Sequence, residues 1–383
     1  FSMPKSWSVL ALVGGDKRIL DAYGAAVRET LAWAEKNLAE TRMEVRGSER
    51  VVRTGNLVAA VFQHDTNRNQ EPNAHFHAVI ANVTQGPDGK WRALRNDNLW
   101  QHNTLLNAMT MASFRLSVEK LGYEVGEFGK HGNFEAVGVP KEVRDAFSSR
   151  RAEVLEAAAQ MNSQGPRARD AATLMTRAQK EPIEDRAALT QQWKDTADKL
   201  GFDPAMVIAR ANARSAKDLG KLPGLGSSVR KVVEQGKQIA HDFAERLGIA
   251  QGDPLIPSRL GNRSPEEVAA IHGVASAIRH LGEREAAFSK VEIYRTALGF
   301  ALPTAFADIE RRTLQLIRQG HLQAGKGPDR DMLTTHDAIS LEQRILAGVE
   351  AGRGAAPAIV PAFDAGTRLQ AVSHKRYGIT LNK

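Results

Sequence analysis

Three features of the sequence predict an α+β fold, an antiparallel sheet covered by helices. Apolar strand segments follow one another through short turn signals, helical periodicities fall between groups of strands, and the strand-helix alternation of a doubly wound parallel sheet does not recur. The 383 residues suffice for two or three domains with their own cores, without disulfide or metal staples.

The elements can be taken in order. Lys5 to Val13 is a run of small, aromatic and aliphatic residues that reads as a half-buried strand closed by the Gly14-Gly15 turn signal. Asp16 follows as an N-cap, and Ile19, Leu20, Tyr23, Val27, Leu31 and Ala34 recur at helical spacing over about six turns. Tyr23 lies on that apolar stripe, so it is expected in the core, as is Trp7. Met43 to Val45 and Val51 to Arg53 form a hairpin around Arg46-Gly47-Ser48, and Asn56 to Gln63 is a further strand with His64 at its end. Beyond the polar loop from Asp65 to Asn73, a strand from Ala74 to Val83 turns through Gly86-Pro87-Asp88-Gly89 into Lys90 to Leu94. A helix from Asn103 to Leu121, a hairpin across Tyr123 to Ala136 and a helix from Pro140 to Gln160 complete the first unit. Asn162 to Arg169 reads as a linker, followed by charged, Ala-rich helices to about Arg214. Asp253 to Arg263, with two prolines and a glycine, marks the next boundary. Helix candidates at Pro265 to Gly282, Lys290 to Leu298 and Thr304 to Arg318, then Gly320-His321-Leu322, suit a small winged or helix-turn-helix unit. Ala351 to Pro361 reads as a Gly/Ala/Pro linker.

Composition narrows the chemistry. There is no cysteine, which excludes disulfides, thiolate zinc sites and cysteine nucleophiles and fits a reducing compartment such as the cytoplasm. A net charge of +8 suits a polyanionic partner. No apolar run approaches the roughly 18 to 20 residues that cross a bilayer, so no membrane insertion is expected. No G-x-x-x-x-G-K-[ST] loop occurs, so ATP hydrolysis is not expected. The chain opens without Met inside an apolar segment and closes without a terminating pattern, so both ends read as cut.

The strongest chemical signal is His64, His75 and His77, three of only 11 histidines within 14 residues. Residues two apart on a strand share a face, so His75 and His77 project together about 7 Å apart. Sheet pairing can bring His64 alongside as a third imidazole. Three neutral nitrogens with an open coordination position resemble a catalytic metal site more than a closed structural one; an exposed polar strand face is the competing reading. Asp16 or Asp65 could accept the remaining N–H of a metal-bound imidazole, with helix cap and turn residue as their alternatives. Arg68 and Asn69, between the histidines, are placed to touch a phosphate or base, and Lys130 with His131 could reach the same groove. Trp91 and Trp100 could stack on unpaired bases, although hairpin and helix packing is the expectation.

Phe1-Ser2-Met3-Pro4-Lys5-Ser6, Gly14-Gly15-Asp16, Thr54-Gly55-Asn56-Leu57 and HDTNRNQEPNAHFHAVIANVT from His64 to Thr84 resemble the conjugative relaxases of the TrwC/TraI type, the MobF family of HUH endonucleases. Gly129-Lys130-His131-Gly132 and Thr176-Arg177 with Trp193 extend the resemblance to about residue 215. It implies a palm-like antiparallel sheet, a divalent metal (Mg, Mn or Zn) on His64, His75 and His77, and Asp16 as the carboxylate that assists the nucleophile or orients a ligand. It also implies cleavage of single-stranded origin-of-transfer DNA by a tyrosine. None of Tyr23, Tyr123, Tyr294 and Tyr377 matches the family nucleophile, which would lie upstream of Phe1. The implied organisation is a relaxase palm over 1-165, a helical extension and linker over 166-260, a winged-helix-like start of a helicase region over 261-350, and a linker toward an ATPase domain over 351-383. Relaxosome accessory proteins and a type IV secretion coupling protein are the implied partners. The stretch from Leu222 to Gly226 could be a helix-hairpin-helix turn. The rival readings are a non-catalytic single-stranded DNA-binding module and a metal-dependent small-molecule enzyme.

Overall fold

A computed structural model describes residues 1–160, 166–176, 183–219, 253–257, 263–326, 331–354 and 362–378. The fold is mixed helix and strand, and it departs from the sequence expectation at the outset. Residues 5–13 are helical: α1 (Lys5–Ser8) runs into a π-helical turn over Val9–Val13, closed by the Gly14 N–H donating to the Val9 carbonyl at 3.1 Å. Pro4 sits at the N-cap with an extended ψ of 153°, and proline belongs at helix starts. From Ser6 to Val13 only Leu12 escapes burial. A short run buried on every side has no polar stripe from which to tell a helix from a strand. Trp7 fills the centre of the resulting core, edge-on to Phe114, Tyr123 and Phe134 at 5.5 to 5.6 Å, and its indole N–H donates to the Phe134 carbonyl.

The long helix α2 (Lys17–Leu38) begins at Asp16, whose side chain accepts from the Arg18 amide. Tyr23 is buried against Phe114 and Phe76, as its place on the stripe predicts. Antiparallel ribbons follow: β1 (Glu40–Val45) with β2 (Ser48–Arg53), β3 (Ala59–Thr66) with β4 (Pro72–Ile80), and β5 (Thr84–Gln85) with β6 (Trp91–Arg92). After α3 (Asp97–Gln101) and α4 (Asn103–Lys120), β7 (Val125–Gly126) pairs with β8 (Glu135–Ala136). Among the described residues the strands thus form small separate sheets, with Ser2 bridging to His75 at the edge of β4.

Two further expectations are corrected locally. The single helix from Pro140 to Gln160 is two, α5 (Lys141–Ala146) and α6 (Ser149–Gln160), because the chain turns at Phe147 to bury its ring. Pro166, placed in a linker, opens helix α7 (Pro166–Met175), with proline in the first turn where its missing N–H costs nothing. Helices α8 (Arg186–Lys199) and α9 (Pro204–Leu219) add Leu189, Trp193, Ala197 and Ala211 to the first core. Gly122, with φ of +86°, lets α9 approach: a Cβ there would overlap the Ala211 carbonyl oxygen.

A second core forms around α10 (Pro265–Gly282), α11 (Lys290–Gly299) and α12 (Phe306–Arg318), with Phe288–Ser289, Leu322–Ala324 and Met332–Thr335 as a three-stranded antiparallel sheet. Capping boxes at Ser264/Glu267 and Ser289/Glu292 start α10 and α11. This is the helix-and-wing arrangement expected from the spacing. Its core is continuous with Leu38, Leu105 and Leu106 of the first unit, and Trp33 of α2 meets Phe306 at 5.3 Å and donates to Glu310. Beyond it, α13 (His336–Gly352) and α14 (Ala362–Tyr377) occupy much of the region read as a linker. The hairpin suggested at residues 222–226 lies outside the described residues, as do most of the linker residues between α13 and α14.

Candidate metal centre and nucleic-acid interface

The register of the β3–β4 ribbon builds the site. His64 faces His75 directly and Phe62 faces His77, so period-two alternation puts all three imidazoles on one face. The ring centroids are 5.2 Å (His64–His75), 4.7 Å (His64–His77) and 5.0 Å (His75–His77) apart, and one nitrogen from each lies within 4.8 Å of the others. His64 and His77 are exposed and His75 is half-buried. The ribbon's other face rests on the first core through Ala74 and Phe76, which holds the histidine face outward.

His75 is oriented by its own strand. Its Nδ1 lies 2.8 Å from the Asn73 carbonyl, which can only accept, so Nδ1 carries the proton and Nε2 keeps the lone pair. Burial, then the neighbouring imidazoles, lower the His75 pKa, against the Asn73 carbonyl that favours the protonated ring. A neutral imidazole with one nitrogen anchored to a carbonyl is the supported form of a metal-binding histidine. The donor set therefore fits a divalent ion that prefers nitrogen ligands and retains open positions.

Asp16 is placed elsewhere. Its carboxylate accepts from Arg18 Nε and Nη2 at 2.8 and 2.6 Å and from the Tyr123 hydroxyl at 2.6 Å, and it is not in the group that gathers around the histidines. Burial raises the Asp16 pKa, but the bonds from Arg18 and Tyr123 outweigh it and hold the carboxyl below its ordinary range. Asp65, adjoining His64, is taken up by an ion pair with Arg186 of α8.

The loop between the histidine strands separates two hollows. Arg68 and Asn69 line one with Trp193, and Asn69 also binds Ser149 and Glu153. Lys130 lines the other, a cavity of about 790 Å³, with Lys5, Asn67, Asn73, Arg150 and Arg151. Glu71 borders both. Arg68 and Asn69 thus border a different hollow from Lys130, and His131 borders neither; its backbone sits in the left-handed region at φ 60° and its carbonyl accepts from Asn107 of α4. Sequence reasoning missed Lys5, Asn73, Arg150 and Arg151. Asn73 had a signal, because it continues the His75–His77 alternation; the arginines, distant in sequence, had none. Lys5 donates to the Pro72 carbonyl at 2.9 Å, and burial pushes its pKa down to about 8 against the pull of Glu71 and Glu135. Trp91 and Trp100, expected to pack, are 60% and 71% exposed. Tyr23 and Tyr294 lie in the two cores, Tyr123 is bound to Asp16, and Tyr377 is exposed on α14.

Comparison with known proteins supplies the relationship. The family model described as TrwC relaxase matches residues 1–200. Multifunctional conjugation protein TraI of Escherichia coli is 41% identical over 212 residues, 53% of this chain and 12% of the relative; the strain K12 protein is 40% identical over 245 residues, 61% of this chain and 13% of the relative. The chain thus spans about an eighth of the length of these curated relatives. Among solved structures, TrwC complexed with a 27-mer DNA comprising the recognition hairpin and the cleavage site is 39% identical, with a TM-score of 0.51 over 53% of this chain and 73% of that one. The metal-bound complex of TrwC with oriT DNA is also 39% identical, with a TM-score of 0.50, covering 53% and 71%.

Proposed function

The chain belongs to the TrwC relaxase family, and from that membership we propose that it binds single-stranded DNA at an origin of transfer and holds a scissile phosphate at a divalent ion on His64, His75 and His77. The observation that carries this reading is the convergence of three imidazole nitrogens within 4.8 Å on an open ribbon face. An ion there would supply positive charge to phosphate oxygens, where negative charge builds during transesterification. The chain's own residues do the rest. The Asn73 carbonyl fixes the His75 tautomer, Lys130, Arg150 and Arg151 draw the backbone into the adjoining cavity, and Arg68 and Asn69 meet the strand across the loop. Asp16, held by Arg18 and Tyr123, remains on the family resemblance the candidate carboxylate of the apparatus and is not a ligand.

Attack on phosphorus calls for a tyrosine, which would conserve the bond energy as a phosphotyrosyl ester. Tyr23, Tyr123 and Tyr294 are buried and Tyr377 is exposed on α14; since none matches the family's nucleophile, on this reading none of the four attacks, and the chain by itself binds and positions DNA without cleaving it covalently. Residues 1-165 would be the palm, 166-260 its helical extension, 261-350 a winged start to a helicase region, and the remainder a connection onward. The setting would be the bacterial cytoplasm with relaxosome and coupling proteins as partners; among the described residues no helix is long and apolar enough to cross a membrane.

The test is titration of an origin oligonucleotide with and without Mn²⁺, at two ionic strengths, followed by denaturing electrophoresis. The reading expects salt-dependent, metal-strengthened binding and no covalent adduct. An adduct would place the nucleophile among the four tyrosines; metal-indifferent binding would favour a simple single-strand binder.

A further inference from the structure

The face of the ribbon that carries the histidines does not end with them. Along β4 it runs Asn73, His75, His77, Val79, and along β3 it runs Ala60, Phe62, His64, with Phe62 paired to His77 and Ala60 to Val79. At the Asn73 end the face opens into the polar cavity of Lys5 and Lys130. At the other end it is apolar, and its two large side chains are bare: Phe62 is 52% and Val79 57% exposed. On the opposite face Phe76 of β4 is buried against Tyr23, whereas β3 is exposed on both faces, Val61 included. The phenyl ring of Phe62 lies directly across from His77 and two residues, about 7 Å, along its own strand from His64.

Resting on the nucleic-acid reading above, we propose that Phe62, flanked by Val79, is a stacking platform for the base attached next to the phosphate held at the three histidines. Continuity argues for this occupant. A phosphate at the imidazoles carries its sugar and base along the same face, polar toward Asn73 and apolar toward Phe62, and a π-face on an aromatic ring is how unpaired bases are held without regard to sequence. A second copy of the chain is the weaker occupant, since two side chains expose far less than the ~800 Å² per partner that a stable interface buries. Phe62 would thus set which side of the phosphate the strand leaves on, with the polar cavity taking the sugar-phosphate backbone on the other.

The experiment compares two probes with the whole chain: dT12, and a 12-mer with the same phosphates but abasic sugars. Wild type should prefer dT12. Phe62→Ala should weaken dT12 by roughly 5- to 150-fold, the range for one stacked base, leave the abasic strand unchanged, and preserve the salt slope, since phosphate contacts are untouched. Phe62→Trp should retain dT12 affinity, and thermal melting checks that both variants fold. Equal weakening of both probes, no weakening of either, or a Phe62→Trp variant as weak as Phe62→Ala would overturn the platform while leaving the nucleic-acid reading intact. A wild-type dimer that Phe62→Ala dissociates would overturn it in favour of a second copy. If wild type shows no salt-dependent binding to either strand, the nucleic-acid reading itself falls, and the platform with it.

Discussion

The helical segment from Lys5 to Val13 and the β3–β4 ribbon lie against each other, joined by the Met3 amide donating to the Ala74 carbonyl and the Ala74 amide donating to Ser8 Oγ. Both look strand-like in sequence, yet they solve opposite problems. Beyond Lys5, which lines the polar cavity, the first is enclosed on almost every side, and its side chains fill space around Trp7. The second buries one face through Ala74 and Phe76 and spends the other on three imidazoles and a bare phenyl ring. The comparison teaches that the buried segment holds the ribbon in place, and the ribbon holds the site.

Breaking the buried side should have the largest effect. Trp7→Ala removes a side chain packed against three rings and should cost ~3–5 kcal/mol of stability, read by urea denaturation. The near-UV signal and metal binding should be lost together at the same denaturant concentration. His75→Ala should do the reverse. It should lower Zn²⁺ affinity by at least about 100-fold, the upper end for loss of a mere supporting partner, while changing stability by under ~1 kcal/mol, because the ring is only half-buried.

Lys5 links the two regions, since its ammonium donates to the Pro72 carbonyl at the start of β4. Its pKa of about 8 lies below the ordinary value of 10.5. Between those pH values the unfolded chain binds a proton at Lys5 that the folded chain has released, so stability should rise with pH across that window. Relative to Lys5→Met, wild type should gain roughly 1–3 kcal/mol from pH 8 to 10.5, measured by denaturation at each pH. The smallest expected effect is on the pH dependence of metal binding. Protons compete for the imidazoles, so affinity falls as pH drops, and burial of His75 should delay its share of that loss to below pH ~6.5. A calorimetric titration series in which the His75→Gln variant loses metal at a higher pH than wild type would agree with this.

How much was legible follows from the same contrast. Period-two alternation does not depend on burial, so His75 and His77 share a face on any strand, and His64 needed only a pairing partner. The α2 helix was legible because Asp16 caps it and its apolar residues recur on one stripe. The helix at Lys5 was not, because total burial erases the stripe, although Pro4 was a start signal. Nor was the position of Asp16 relative to the histidines: its neighbours Arg18 and Tyr123 satisfy it, and one of these comes from a residue more than a hundred positions away. The separation of the Arg68 and Lys130 hollows by Glu71 depends on how the loop folds back on itself, through Asn67 Oδ1 accepting from the Asn69 and Glu71 amides, a detail set by tertiary packing.

The most direct test of the central claim is pulsed electron paramagnetic resonance on the chain loaded with one equivalent of Cu²⁺, which counts coordinated imidazoles. The account predicts three, falling to two in each of His64→Ala, His75→Ala and His77→Ala. A spectrum with fewer than three in wild type, or one unaltered by any of these substitutions, would contradict it.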